Sequence, residues 1–232
     1  LLGPKFALLR EEFSHLRSNL REFEPKVKNV LVYFGGADLN NFTQMAVEAL
    51  VDLEHQDIII NVVVGSAYPH YLELATLCAN QGINLFLQTE KLATLMAQAD
   101  FAIGAGGSST WERCCLGLPS LVISLASNQD ELIANAAGSG LVIALTVEQV
   151  NKQILSQYID VIINNSPLRQ LIRQRGLESV SGNGVKLLVN TLLSPDLTVR
   201  RAKIKDSKKL HYWRNSPSVR SVSISGEMIE LD

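Results

Sequence analysis

Residues 100–117 read DFAIGAGGSSTWERCCLG. The run DFAIG is short, apolar and suited to a strand. Glycines at 104, 106 and 107 break it, Ser108, Ser109 and Thr110 follow, and apolar side chains then recur at helical spacing until Gly117. A strand that passes through a glycine-rich loop into a helix is the repeating unit of an α/β fold. The spacing predicts the strand over 100–104 and the helix over 110–116.

The same unit recurs in both directions. Toward the N-terminus, strand-like runs occupy 29–34 (NVLVYF), 57–64 (DIIINVVV) and 82–87 (GINLFL). Toward the C-terminus they occupy 120–125 (SLVISL) and 141–145 (LVIAL). Helical spacing falls between them at 43–53, 69–80, 89–98 (with Thr89 as its cap) and 129–137, and continues at 147–163, 167–177 and 183–193. The strands are continuous apolar runs rather than alternating ones, as expected where helices cover both faces of a parallel sheet. The fold class expected is therefore α/β: a doubly wound, mainly parallel six-stranded sheet with helices on both faces, about 170 residues in extent.

The flanks differ in character. Residues 1–28 predict a linker whose helical stretch, 5–24, carries an apolar stripe of Phe6, Leu9, Phe13 and Leu16 beside exposed Arg10, Glu11 and Glu12, with Pro25 as its stop. The Ser194-Pro195-Asp196 break opens a basic tail, 194–232, containing Arg200, Arg201, Lys203, Lys205, Lys208 and Lys209. Within it 198–204 suits a strand, and 206–214 a helix capped by Asp206. The chain opens Leu1-Leu2-Gly3-Pro4-Lys5, without Met and without a signal-peptide layout, and reads as one picked up mid-stream.

Composition narrows the function classes. Of 232 residues 47% are hydrophobic and 19% charged, with a formal net charge of -2, so no overall bias toward nucleic acid or anionic lipid exists. No apolar run reaches the length that spans a bilayer. Neither nucleic acid nor membrane is expected as a partner. Cys78, Cys114 and Cys115 are odd in number and match no zinc spacing, which suits a reduced, cytoplasmic setting.

The chemistry concentrates where the fold was first legible. Gly104, Gly106 and Gly107 let the backbone approach a bulky anion. Ser108, Ser109 and Thr110 offer hydroxyls, and the helix start offers unpaired N–H groups; together these suit a pyrophosphate. Glu112, placed in the first helical turn, could accept both hydrogen bonds of a ribose diol. A tight turn with a Ser/Thr cap explains the same residues structurally. No Gly-Lys-Ser/Thr follows the loop, which excludes a Walker A ATPase. Asp38 and Asn40, after Gly35-Gly36, fit either a sugar contact or an Asx turn and helix cap. Asn128 and Gln129 suit sugar hydroxyls, Asn128 alternatively a cap. His15, His55, His70 and His211 adjoin no Ser or Cys nucleophile pattern, and no metal-ligand spacing appears.

The run over 104–123, GAGGSSTWERCCLGLPSLVI, resembles the C-terminal domain of PseG/SpsG-like UDP-sugar hydrolases, whose fold is similar to that of GT-B glycosyltransferases such as MurG. The linker GPKFALLR, the loop FGGAD and Asn128-Gln129 add to the resemblance, which covers residues 1–193. It implies a UDP site in which Gly106, Gly107, Ser108, Ser109 and Thr110 hold the diphosphate and Glu112 the ribose. It further implies a cleft lined by Gly35, Gly36, Asp38, Asn128 and Gln129. The implied ligand is UDP or a UDP-sugar of the 2,4-diacetamido-2,4,6-trideoxy-altropyranose type used in pseudaminic acid synthesis, with no metal and no further cofactor. The family's catalytic histidine belongs to a preceding N-terminal domain, so no residue here inherits a catalytic role, and that domain is the expected protein partner. The tail, through VRRA at 199–202 and YWRN at 212–215, resembles the opening strand and helix of a GNAT N-acetyltransferase. The corresponding division is 1–28 linker, 29–193 UDP-binding domain and 194–232 start of a GNAT-like domain.

Overall fold

The computed structural model describes residues 3–55, 57–193 and 200–221. The strands are β1 (Asn29–Tyr33), β2 (Ile59–Val64), β3 (Asn84–Leu87), β4 (Phe101–Ala105), β5 (Ser120–Ser124) and β6 (Ile143–Thr146). The helices are α1 (Glu11–Ser18), α2 (Phe42–Asp52), α3 (Tyr71–Gln81), α4 (Leu92–Gln98), α5 (Ser108–Cys115), α6 (Ser127–Gly138), α7 (Lys152–Asn164), α8 (Ser166–Ser179) and α9 (Gly184–Leu192). The strands form one six-stranded sheet in the order β3-β2-β1-β4-β5-β6, every neighbouring pair parallel.

The apolar runs serve two cores at once. Val30 and Val32 of β1, Phe101 and Ile103 of β4, and Leu121 and Ile123 of β5 join α2 and α7 residues such as Ala46, Val47, Ile159 and Ile162 on one face. The alternate residues Leu31, Ala102 and Val122 point to the other, against Phe13, Met96, Cys114, Cys115 and Ala136. Successive strand side chains point to opposite faces, so only an unbroken apolar run can bury both. Outer β3 is only half buried, as an edge strand should be.

Element bounds shift by a few residues throughout, and four local readings outside the glycine loop differ in kind or in start. The 5–24 stretch is helical only at Pro4–Phe6, a 3-10 turn, and at α1; between them 7–10 run outside any helix. Phe13 is buried, as its place in the stripe requires. The helix expected from 89 begins at Leu92, because the Thr89 hydroxyl accepts the Lys91 N–H before the helix starts. The helix expected from 147 begins at Lys152, where Asn151 Oδ1 accepts the Ile154 N–H at 2.9 Å as an N-cap. The fourth lies in the tail.

There, Ser194-Pro195-Asp196, Thr198 and Val199 lie outside the described residues. Arg200–Lys203 form no strand and Ile204–Asp206 is a 3-10 turn. The Asp206 carboxylate folds the segment back, accepting from both Arg200 Nη atoms at 2.6 and 2.7 Å and from Lys203 N–H at 2.8 Å. It makes no capping bond to the helix that follows, α10 (Ser207–Asn215), which leads into α11 (Pro217–Arg220).

Backbone polar groups at the flanks are tied down by charged side chains. Asp100, at the start of β4, accepts from Lys28 N–H, Asn29 N–H and Arg21 Nη2, fastening the connector to the sheet. Arg17 donates to Cys115 O and Leu177 O at the ends of α5 and α8. Arg169, fully buried, donates to Ile162 O and Ile163 O in the last turn of α7 and to Pro25 O. Arg17 and Arg169 each place a positive charge at a helix C-terminus, where unpaired carbonyls and the helix dipole favour it.

Candidate functional site

The strand order reverses between β1 and β4: β2 lies beyond one and β5 beyond the other. Ligands of doubly wound sheets bind in the crevice outside the strands' carboxyl ends at such a reversal. Here that crevice is a cavity of 420 Å³ between the loops after β1 and β4, lined on the glycine-loop side by Gly106, Gly107, Ser108, Ser109 and Glu112. Gly35, Arg10 and Gln129, from three other segments of the chain, also line it.

The glycine loop is built from below. Gly104 pairs with Tyr33 in the ladder, and a Cβ there would lie 2.1 Å from Tyr33 O. The strands can meet at the switch point only because that Cβ is missing. Gly106 N–H bonds Ile123 O at 3.0 Å, which carries the chain over β5. Gly107, at φ +98, is in the region that favours glycine and serves as the N-cap of α5 without a side chain. Helix α5 therefore starts at Ser108, two residues earlier than expected. Thr110 N–H is spent on Gly107 O, while the Ser108 and Ser109 N–H groups have no protein acceptor among the described residues. Two free N–H groups at a helix N-terminus, beside two hydroxyls, can hold an anion such as a phosphate.

The early helix start moves Glu112 out of the first turn to the fifth helical position, on the cavity side. Its side chain is 16% exposed and stands 3.7 Å from Arg10 Nη2. Burial raises its pKa, while Arg10 opposes that shift. Arg10 also bonds Glu12 at 2.6 Å and lies over the Phe13 ring.

The residues singled out from sequence divide in two. The structure brings Gly106, Gly107, Ser108, Ser109, Glu112, Gly35 and Gln129 to one cavity. It takes Thr110, Gly36, Asp38 and Asn128 elsewhere. Thr110 is fully buried, its hydroxyl accepting from Arg113. Gly36 abuts Gly65, where a Cβ would lie 2.3 Å from Gly36 O. Asp38 is buried and caps α2, its carboxylate accepting from Phe42 N–H at 3.1 Å and Thr43 N–H at 2.7 Å, the bonds of the cap reading. Asn128 is not a cap, since α6 begins after Ala126; it lines a separate 920 Å³ cavity with Phe6 and Trp111. Sequence reasoning gave Arg10 no site role, although the GPKFALLR run contains it. It gave none to Arg113 either, which is 1% exposed beneath the loop.

Other candidate chemistry stays outside. His70 stacks edge-on to Tyr68 at the start of α3. Cys78, Cys114 and Cys115 are free and buried. Among the described residues no group of three or more His, Cys, Asp or Glu could hold a metal ion, and no helix is long and apolar enough to cross a membrane.

No protein-family model matches the chain. It is 29% identical over 188 residues to the spore coat polysaccharide biosynthesis protein SpsG of Bacillus subtilis, a match covering 79% of this chain. The chain spans 55% of that relative's length. Among solved structures, MurG of Acinetobacter baumannii superposes with a TM-score of 0.60 at 18% identity, over 75% of this chain and 52% of MurG. The S. aureus MnaA–UDP co-structure gives 0.59 at 16%, over 77% of this chain and 48% of that one. At such identities the likeness establishes the fold, the doubly wound α/β half of a GT-B architecture.

Proposed function

We propose that the chain is the nucleotide-binding half of a UDP-amino-sugar hydrolase in surface polysaccharide biosynthesis, of the kind that acts on UDP-2,4-diacetamido-2,4,6-trideoxy-altropyranose in pseudaminic acid synthesis. The observation that carries this reading is the cavity at the strand-order reversal, where the free N–H groups of Ser108 and Ser109 and the Glu112 carboxylate share one wall. The diphosphate sits on Gly106, Gly107, Ser108 and Ser109, and the ribose diol donates to Glu112. The likeness to SpsG supports the polysaccharide setting, and that to a UDP co-structure supports the nucleotide.

In this reading the chain stabilises the leaving group. Water attacks the anomeric carbon, the C1–O bond breaks, and the electron pair leaves with UDP. The negative charge gained by the diphosphate meets N–H donors already oriented by α5, which is electrostatic catalysis. The histidine that activates water comes from a preceding domain, and residues 1–28 link that domain to the nucleotide-binding domain at 29–193. Residues 194–232 open a GNAT-like domain, a reading supported by α10 over the YWRN run.

A glycosyltransferase uses the same nucleotide site but passes the sugar to an acceptor, and the fold shared with MurG supports that second reading. Calorimetric titration of this chain with UDP, repeated on Glu112→Ala and Ser108→Ala, tests the site. Binding to the parent chain that weakens in both variants is expected; no heat at millimolar UDP overturns it. Release of free sugar from a UDP-sugar without acceptor, by a protein that includes the preceding domain, separates hydrolase from transferase.

A further inference from the structure

Arg113 is among the most completely buried large side chains of the molecule, and the binding residues named above leave it unused. Its guanidinium lies directly under the glycine loop. One Nη donates to Ala105 O at 2.8 Å and to Thr110 Oγ1 at 3.3 Å, the other to Ser109 Oγ at 3.4 Å. Ala105 ends β4, and Ser109 and Thr110 belong to the first turn of α5, so one side chain clamps both ends of the loop. The Gly104 Cβ position is 3.1 Å from Arg113 Nη1, so glycine there also makes room for the cation.

Among the described residues the clamp has no carboxylate bonded to it, although Glu112, its chain neighbour, acts on it through space. Arg113 forms no ion pair among the described residues, and its Nε has no hydrogen-bond partner. The adjacent carboxylate, Glu112, is turned into the cavity toward Arg10. Burial lowers the Arg113 pKa to about 10, the mark of a charge held where solvation is poor. Loop closure alone would not call for a guanidinium at that cost, since an apolar side chain or a neutral amide could fill the space. A charge beneath two free helical N–H groups adds to their attraction for an anion and is screened little by salt.

We propose that Arg113 is a positioning residue for the anionic part of the ligand: it holds the glycine loop open to a diphosphate and supplies, on its inner side, a positive charge that no carboxylate bonds directly. This rests on the nucleotide reading of the same cavity and sharpens it, since the site should then select ligands by their charge rather than by the nucleoside alone. The cation reaches the ligand through Ser109, whose hydroxyl takes the Nη1 bond and whose residue lines the cavity.

The test compares UDP, inorganic pyrophosphate and uridine on the full chain and on Arg113→Lys and Arg113→Gln, with folding checked by circular dichroism. Arg113→Gln should lose about tenfold or more in affinity for UDP and pyrophosphate while uridine changes little, and Arg113→Lys should recover part of that loss. A uniform loss across the three ligands reduces Arg113 to a structural role and overturns the proposal, as does no loss at all. Should the variants fail to fold, the Arg113 Nε–H resonance of the unmutated protein decides. It should move on adding pyrophosphate and not on adding uridine; a response to both alike, or to neither, overturns the proposal. Absence of binding by both UDP and pyrophosphate to the unmutated chain overturns the nucleotide reading first. Binding that is indifferent to Arg113 overturns this inference alone.

Discussion

Glu112 and Arg10 face each other across 3.7 Å in the cavity, and each answers part of the other's charge. Replacing Glu112 by Gln keeps its shape and removes the charged acceptor, so UDP affinity should fall by about 2 kcal/mol in calorimetry. The pH dependence follows from the raised pKa, whose cause is burial. The ionised form is the one the fold disfavours, so it costs stability above the folded pKa, and that cost is relieved as pH falls through it. Ligand binding runs the other way, because a ribose diol needs the carboxylate. UDP affinity should be level at neutral pH and decline, on acidification, at a higher pH than a free carboxylate would titrate. Affinity unchanged down to about pH 4 would count against this role. The cysteines make a separate prediction. Burial pushes Cys78 up to about 11 and Cys114 to about 12, and raises Cys115 as well. None should react with iodoacetamide at pH 8 in the native protein, and all three should react once it is unfolded.

At the scale of elements, two residues of the strand-end loops, Asp38 and Gly104, have different duties. Asp38 caps α2 through two backbone N–H groups, so Asp38→Ala should cost about 1 kcal/mol in chemical denaturation and leave UDP affinity unchanged. A large loss of affinity without a loss of stability would return Asp38 to the site. Gly104 holds β1 and β4 together at the reversal. A Cβ there meets Tyr33 O at 2.1 Å, backbone that cannot step aside without parting the ladder. Gly104→Ala should therefore destabilise by about 2–4 kcal/mol and also reduce UDP binding, since the loop starts from that point. The cap of Asp38 was only half legible, because an Asx turn and a sugar contact use the same side chain. What separates them is the direction of the following helix.

For the molecule as a whole, the connector is tied to the sheet through Asp100, which is buried and accepts from Arg21 at 2.5 Å and from the N–H groups of Lys28 and Asn29. Asp100→Ala leaves those two N–H groups without their acceptor and should lower stability by about 3 kcal/mol, read as a shifted denaturation midpoint. An unfolding free energy within about 0.5 kcal/mol of the parent would mean that water replaces the carboxylate without loss, since that is the size of an ordinary surface substitution. The kinds and order of the elements were readable from the chain alone. Apolar runs, glycine stops and helical spacing are local signals, and both faces of β1, β4 and β5 are buried as their unbroken runs require. The glycine loop after a strand and before a helix was readable for the same reason. The tertiary structure decided that β1 and β4 are neighbours, which pairs segments about seventy residues apart by burial rather than by local preference. It also decided which side chains reach the cavity. A helix turns about 100° per residue, so the start of α5 at Ser108 sends Glu112 and Ser109 inward and Thr110 and Arg113 beneath the loop. Likewise α6 turns Gln129 toward the cavity and Asn128 away from it.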